Sequence, residues 1–258
     1  MQKIGIYAGM ENHYSFEERI IAIKETGFTC VCLNFEQELL PTETSWNNQL
    51  TTTEKYAIPV QNAHLTGAGM NAIWQNTPEG EFVKNRLIEE LKALSRLGIA
   101  CGVAHVTWGR NIPVNIPTEI GLKRYEEIAN IAEKYQVKLA LENSVYPQFL
   151  RYVLDNIRSD YVGFCYDSGH EHAFSPNENF LQSYGNRLFA IHLQDNHGEK
   201  DEHLIPFDGS INWEQKIQEL KKTGLFQSEI VLESISHGES LYEYLQHAFQ
   251  AAKKLASL

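Results

Sequence analysis

The sequence predicts an α/β protein built as one closed (β/α)8 barrel over residues 1–258, and three observations carry that expectation. Strand-like apolar runs alternate with helix-like stretches from end to end, the alternation counts to eight units, and eight such units in 258 residues match the size of a sheet closed on itself. An open, doubly wound sheet is the alternative, yet no glycine-rich stretch of the GxGxxG or GxxxxGKS type follows any of the runs. No low-complexity segment, charge block or linker interrupts the pattern, so one domain is expected.

The elements follow in order. KIGIYAG (3–9) reads as the first strand, with an amphipathic stretch near 15–26 behind it; FTCVCLNF (28–35) is the second, with a weak helix near 51–57. IPVQNAHLTG (58–67) precedes a long helix at 78–97, in which Phe82, Leu87, Leu91 and Leu94 recur at helical spacing and Gly98 stands where a C-cap belongs. IACGVAHVTW (99–108) leads to a helix at 118–135, VKLALEN (137–143) to one near 147–158, and YVGFCYDSG (161–169) to a short one near 177–184. RLFAIHLQD (187–195) and SEIVLES (228–234) complete the set, with helices at 212–223 and 239–255.

Composition narrows the function. The chain is 43% hydrophobic, has no apolar run of membrane-spanning length, and passes from one lysine straight into a short apolar stretch with no cleavage-type site. A soluble, cytoplasmic protein without a membrane partner is expected. Cys30, Cys32, Cys101 and Cys165 sit in apolar, strand-like stretches and form no CxxC pair, so they read as reduced packing thiols. The formal net charge of −11 disfavours nucleic acid as a partner, and no Lys/Arg cluster marks a local groove.

In a barrel of this kind the loops after the strands' C-terminal ends build the active face. The third run ends at His64, the fourth at His105, the fifth at Glu142, the sixth at Asp167 with His170 just beyond, the seventh at His192 and the eighth at Glu233. Alternation along a strand puts Glu142 on one face with Ala140, Asp167 with Gly163 and Cys165, and His192 with Ala190. The bulky Leu139, Leu141, Phe164, Tyr166, Phe189, Ile191, Ile230 and Leu232 point the other way, toward the helices. One strand-end carboxylate is ordinarily a cap or a hydrogen-bonded group. Three carboxylates and a histidine at one mouth would repel and lose hydration unless a cation offset them, and a divalent metal is the economical answer. The stretch HLQDNHGEKDEH (192–203) packs three histidines and four acidic residues into twelve positions, and by itself reads either as a solvated acidic loop or as half of a metal site.

LENS (141–144), YDSGH (166–170), IHLQDN (191–196) with DEHLIPFDGSINW (201–213), and VLES (231–234) resemble the xylose isomerase-like superfamily of TIM barrels. That group holds sugar isomerases and epimerases beside the three-zinc apurinic endonucleases, and the likeness covers nearly the whole chain. It implies that Glu142, Asp167, His192 and Glu233 ligate one divalent metal (Mn, Zn, Co or Mg), as in ketose 3-epimerase-like members. His170 matches a substrate-binding histidine of those epimerases or a ligand of an additional zinc in the endonucleases. His64, His105 and the Asp201–His203 pair match further endonuclease zinc ligands, so additional zinc ions belong to that alternative. Within 192–203 the resemblance thus implies His192, Asp201 and His203 for the site and leaves His197, Glu199 and Glu202 as solvated loop. The acidic balance and the missing basic loops weigh toward the isomerase or epimerase.

The chemistry then expected is proton transfer beside a carbonyl through a metal-stabilised enediolate, with Glu142 and Glu233 as the acid/base pair. Their strands stand roughly 135° apart around an evenly spaced ring, one for each face of a sugar or sugar phosphate. His64, His105, His170, Asp201, His203 and Trp108 are expected substrate contacts. Tyr7, Trp74 and Trp108 either wall the pocket or simply pack, and Arg110 is either the cation for a substrate phosphate or carboxylate or a plain surface arginine. A zinc-dependent phosphodiesterase and a non-catalytic sugar- or metal-binding barrel are the competing readings. Homo-oligomers are frequent among such isomerases, but no stripe in this sequence marks an interface.

Overall fold

The computed structural model describes residues 2–10, 13–35 and 43–258. Eight parallel strands alternate with helices: β1 (Lys3–Tyr7), α1 (Phe16–Thr26), β2 (Cys30–Asn34), α2 (Glu43–Lys55), β3 (Val60–His64), α3 (Pro78–Arg96), β4 (Cys101–His105), α4 (Glu119–Tyr135), β5 (Lys138–Glu142) and α5 (Pro147–Asn156). They continue through β6 (Val162–Asp167), α6 (Ser168–Phe174), α7 (Phe180–Tyr184), β7 (Leu188–His192), α8 (Trp213–Leu220), β8 (Glu229–Leu232) and α9 (Leu241–Ser257). The strand order is β7-β6-β5-β4-β3-β2-β1-β8. One parallel bridge, Leu193 to Leu232, closes the ring, where the Leu193 amide donates to the Val231 carbonyl at 2.9 Å and the Glu233 amide to that of Leu193 at 3.0 Å. The (β/α)8 barrel expected from the sequence is therefore the fold.

Local sequence explains most boundaries. Ser15 with Glu18 and Ser240 with Glu243 form capping boxes on α1 and α9, and the Thr77 and Thr118 hydroxyls cap α3 and α4. Gly98, at φ +71°, takes the left-handed turn after α3 that a side chain would resist. Among the described residues no helix is long and apolar enough to cross a membrane.

The strand faces separate as their parity requires. Cys101, Val103, Ala140, Cys165 and Ala190 form a small cluster in the barrel's narrow interior, while Leu139, Leu141, Phe164, Tyr166, Ile191 and Ile230 join the larger core beneath the helices. Phe189 departs from the expectation. Its ring packs on the interior cluster, beside a register shift between β6 and β7, and a Cβ on Gly163 would lie 2.5 Å from that ring. The shift frees β7 from strict alternation, and the missing side chain at Gly163 supplies the space.

Two helices also differ. The weak helix expected at 51–57 runs instead over Glu43–Lys55. Trp46 anchors it, buried and stacked on Phe35 at 3.9 Å with a 7° interplanar angle, a tertiary contact that outweighs the poor propensity of a threonine-rich segment. Helix α6 begins at Ser168 with no intervening loop, because the Asp167 carboxylate accepts from the His170 amide at 2.6 Å and caps it. In α3 the spacing holds but Phe82 is 53% exposed, and Val83 takes the buried position beside Leu87, Leu91 and Leu94.

Candidate active site

His64, His105, Glu142, Asp167 and His192 are the last residues of β3 through β7, and Glu233 follows β8 directly. Ladder register sets His105 beside Glu142 and Asp167 beside His192, so the parallel sheet itself gathers these side chains at one mouth. All six are buried.

At the centre, the ligand atoms of His64, Glu142, His192 and Glu233 lie within 4.8 Å of one another. His64 Nε2 is 3.0 Å from one Glu142 oxygen, and His192 Nδ1 is 3.1 Å from the other and 3.1 Å from Glu233 Oε1. His105 Nε2 stands 3.5 Å from Glu142 Oε2. A second group forms where Asp201 Oδ2 meets His170 Nε2 at 3.0 Å and His203 Nε2 at 3.2 Å. Asp167 belongs to a third group with Glu142 and His170. Of the four ligands expected from the sequence, then, three share the central cluster, His64 completes it, and Asp167 stands one group away.

Hydrogen bonding points the imidazoles. His64, His170 and His203 each direct Nδ1 at a backbone carbonyl, of Leu65, Asn143 and Glu233, at 3.1, 2.9 and 2.7 Å. A carbonyl only accepts, so Nδ1 carries the hydrogen and Nε2 faces the carboxylates. His192 is reversed: Nδ1 faces the carboxylates, and Nε2 lies 3.9 Å from the Cys32 sulfur, whose own hydrogen is directed at the Leu33 carbonyl 3.5 Å away. Neutral His64, His170 and His203 in these orientations would set Nε2 lone pairs against carboxylate oxygens, whereas His192 can donate from Nδ1 as a neutral ring. A proton or a cation between each of the first three and its carboxylate makes the arrangement favourable.

The charges follow from that geometry. Burial opposes the imidazolium of His192, yet Cys165, Glu233 and Glu142 hold it well above the ordinary range; His170 is raised against burial by Asp167 and Asp201. His203 is half-buried, and against the desolvation this brings its hydrogen bond to Asp201 lifts it to about 9. Burial works against the Glu142 and Glu233 anions, but the surrounding histidines hold Glu142 low and His192 brings Glu233 to about 2. His105 goes the other way, to about 3, because burial dominates. Burial likewise pushes Asp167 well above the carboxylate range. Its Oδ1 accepts from the His170 amide, whereas Oδ2 is buried with no hydrogen-bond partner. An orphaned buried oxygen beside three carboxylates is what a bound cation would satisfy, and the donor set of carboxylates and imidazoles fits a divalent metal.

A cavity of about 700 Å³ opens above this floor, with Tyr7, Trp108, Arg110, Phe174 and Lys200 around it. Trp74 takes no part, being fully buried against Tyr125 and Phe149 with its indole donating to the Val106 carbonyl. The expected solvated loop is drawn inward at one point, since the half-buried Glu202 holds the His197 amide and ring while Glu199 is exposed.

Several residues that serve the site were not singled out from the sequence. The Asn143 amide brackets Asp167, accepting from its N–H at 2.8 Å and donating to its carbonyl at 2.7 Å. Gln194 donates to Asp201 at 2.6 Å, and Gly169 leaves room for it, because a Cβ there would lie 2.1 Å from the Gln194 amide. Asp195 accepts from the amides of Asn196, Phe207 and Ile211 and from the Trp213 indole, and so ties the segment bearing Asp201 and His203 to β7. The available signal was position: Asn143 and Gln194 lie one and two residues beyond Glu142 and His192.

Comparison with known proteins agrees with this architecture. A family model described as xylose isomerase-like TIM barrel matches residues 20–256. Inosose isomerase of Bacillus subtilis is 26% identical over 209 residues, 72% of this chain and 73% of that protein. The chain spans about half the length of two other curated relatives, uncharacterised proteins of Sinorhizobium fredii and Methanocaldococcus jannaschii, at 33% and 30% identity (48% and 46% of each). Among solved structures, a D-tagatose 3-epimerase-like protein superimposes with a TM-score of 0.80 at 20% identity, covering 99% of this chain and 98% of its own. The IOLI protein with a bound zinc atom gives 0.78 at 18% identity, with the same coverage.

Proposed function

Because the chain belongs to the xylose isomerase-like TIM-barrel family, we propose that it is a divalent-metal-dependent isomerase or epimerase of a sugar or sugar phosphate, moving a proton at a carbon beside a carbonyl. The observation that carries the reading is the pair of buried carboxylates, Glu142 from β5 and Glu233 from β8, each 3.1 Å from the same nitrogen of His192 on the cavity floor. Inosose isomerase among the relatives supports the reaction class, and the zinc atom bound by the IOLI protein supports a divalent metal. A metal held by Glu142, His192 and Glu233, with His64 or Asp167 as the fourth ligand and Mn, Zn, Co or Mg as the ion, would place positive charge beside the carbonyl oxygen of the substrate.

The chain's own groups supply the rest. Glu142 and Glu233 are held ionised by the histidines around them, so either can take the proton on its own face of the carbon. For inversion the partner glutamate first takes up a proton from water and delivers that one on the opposite face, and the first then releases its proton to water. His170 and His203, anchored through Nδ1, converge through Nε2 on Asp201 beside the cavity, and a substrate oxygen would reach either ring by sharing or displacing that carboxylate contact. Trp108 stands edge-on to His105 at 5.1 Å and offers an apolar wall for sugar C–H groups.

Elemental analysis of protein purified without added metal, joined to deuterium wash-in from D₂O into a panel of ketoses and their phosphates, tests the proposal. One divalent ion per chain with exchange beside a carbonyl is the expected result. Absence of both bound metal and exchange would refute it. The second group of His170, Asp201 and His203 favours a second reading, a polynuclear phosphodiesterase, and two or three zincs with hydrolysis of a phosphate ester would establish that instead.

A further inference from the structure

The proton-transfer scheme leaves two cations unused that line the cavity and are exposed to solvent, Arg110 and Lys200. Arg110 lies between β4 and α4 on a segment without regular secondary structure, yet its backbone is pinned on both sides. The Asn71 side chain accepts from the Trp108 amide at 2.8 Å and donates to the carbonyls of Trp108 and Asn111 at 2.8 and 3.0 Å, and the Tyr146 hydroxyl donates to the Arg110 carbonyl. The guanidinium sits 5.7 Å from the centre of the Phe174 ring, which stacks on His170 at 5.9 Å. Those two steps lead from the catalytic floor to the rim. Lys200, immediately before Asp201, lines the same cavity.

Neither Arg110 nor Lys200 forms an ion pair among the described residues, in a chain with 33 acidic residues and a net charge of −11. A surface arginine with no task would move freely or meet one of those carboxylates. Pinning its backbone and laying its side chain on an aromatic ring costs conformational freedom, and an anionic ligand offsets that cost through charge-assisted hydrogen bonds. The guanidinium offers a planar fork to two oxygens, and the ammonium of Lys200 adds a compact charge.

We propose that the outer end of the cavity is an anion subsite, in which Arg110 and Lys200 receive a phosphate or carboxylate that the substrate carries at the end remote from its reacting carbon. The subsite selects charged sugars over neutral ones. It rests on reading this cavity as the substrate site, and the experiment separates the two.

Inorganic phosphate is titrated calorimetrically into the full-length protein as purified and after chelation, so that phosphate on a metal is told apart from phosphate on the cations. Saturable binding is expected in both preparations. Arg110→Met should weaken it about 10- to 100-fold and Lys200→Met about tenfold, with both side chains exposed and the fold unaffected. Lys134→Met, on the last turn of α4 at the opposite end of the barrel, should change nothing. D-fructose, D-fructose 6-phosphate and D-fructuronate then distinguish a phosphate from a carboxylate substrate. No saturable phosphate binding after chelation, or binding indifferent to both variants, overturns the subsite. Phosphate bound through Arg110 with no proton exchange on any ketose would remove the isomerase and leave the subsite standing.

Discussion

Replacing Asp195 tests whether the segment that brings Asp201 and His203 to the site is held by one buried carboxylate. Asp195 is fully buried, and its two oxygens accept four hydrogen bonds: from the Asn196 amide at 2.9 Å, the Ile211 amide at 3.1 Å, the Phe207 amide at 3.0 Å and the Trp213 indole at 2.7 Å. Its backbone also pairs with Leu204 across an antiparallel bridge. Asp195→Ala leaves three backbone amides and an indole without an acceptor. Water can refill part of the space, so the loss falls below the sum of four charge-assisted bonds, at about 3–5 kcal/mol. For a chain of this length that lowers the melting temperature by roughly 6–20 °C. Calorimetric melting with hydrogen exchange resolved along the chain is the assay, and protection should fall first in 197–211. Gly209→Ala attacks the same contact from the other side, since its Cβ would lie 2.3 Å from Asp195 Oδ1 and 2.5 Å from the Asn196 carbonyl. If Asp195→Ala melts within a degree or two of the parent and 197–211 stays protected, the latch does not exist.

Three further predictions follow from individual contacts. Glu142→Gln and Glu233→Gln should each lower turnover by about 10²-fold or more while leaving the melting temperature nearly unchanged, and near-parental kcat in either variant would remove the two-carboxylate scheme. Cys32→Ala should weaken metal affinity of the chelated protein about tenfold by freeing the His192 ring, whereas Cys101→Ala, a likewise buried strand thiol outside that contact, should not; equal effects would mean packing alone. Burial pushes Glu90 up to about 7 from its ordinary 4.5, so the folded state holds its proton more tightly than the unfolded one. Its contribution is then present below about pH 4.5 and lost as the pH rises through 7. Glu90→Gln should therefore gain roughly 3 kcal/mol relative to the parent between pH 5 and pH 8, read from denaturation midpoints, and a difference independent of pH would refute the assignment.

Periodicity and strand parity alone predicted the (β/α)8 order, the C-terminal mouth and the residues at each strand end, because a parallel strand's inward face and its last residue are properties of local chain geometry. The same logic failed at Phe189, where a register shift lets one ring enter the interior, and at α2, whose start depends on Trp46 meeting Phe35. It also read Cys32 as a packing thiol, although its sulfur lies against the His192 ring.

The sequence by itself determined which side chains reach the mouth, since ladder register and alternation carry Glu142, Asp167, His192 and Glu233 there whatever their partners. Only the tertiary structure decided how they group. His64 joins the central cluster, Asp167 stands aside as the cap of α6, and Asp201 meets His170 because Asp195 folds its segment back onto β7. The physical reason is that grouping depends on distances of a few ångström between side chains from different strands and loops. Those distances arise from closing the ring and from hydrogen bonds between residues far apart in sequence, which no local pattern encodes.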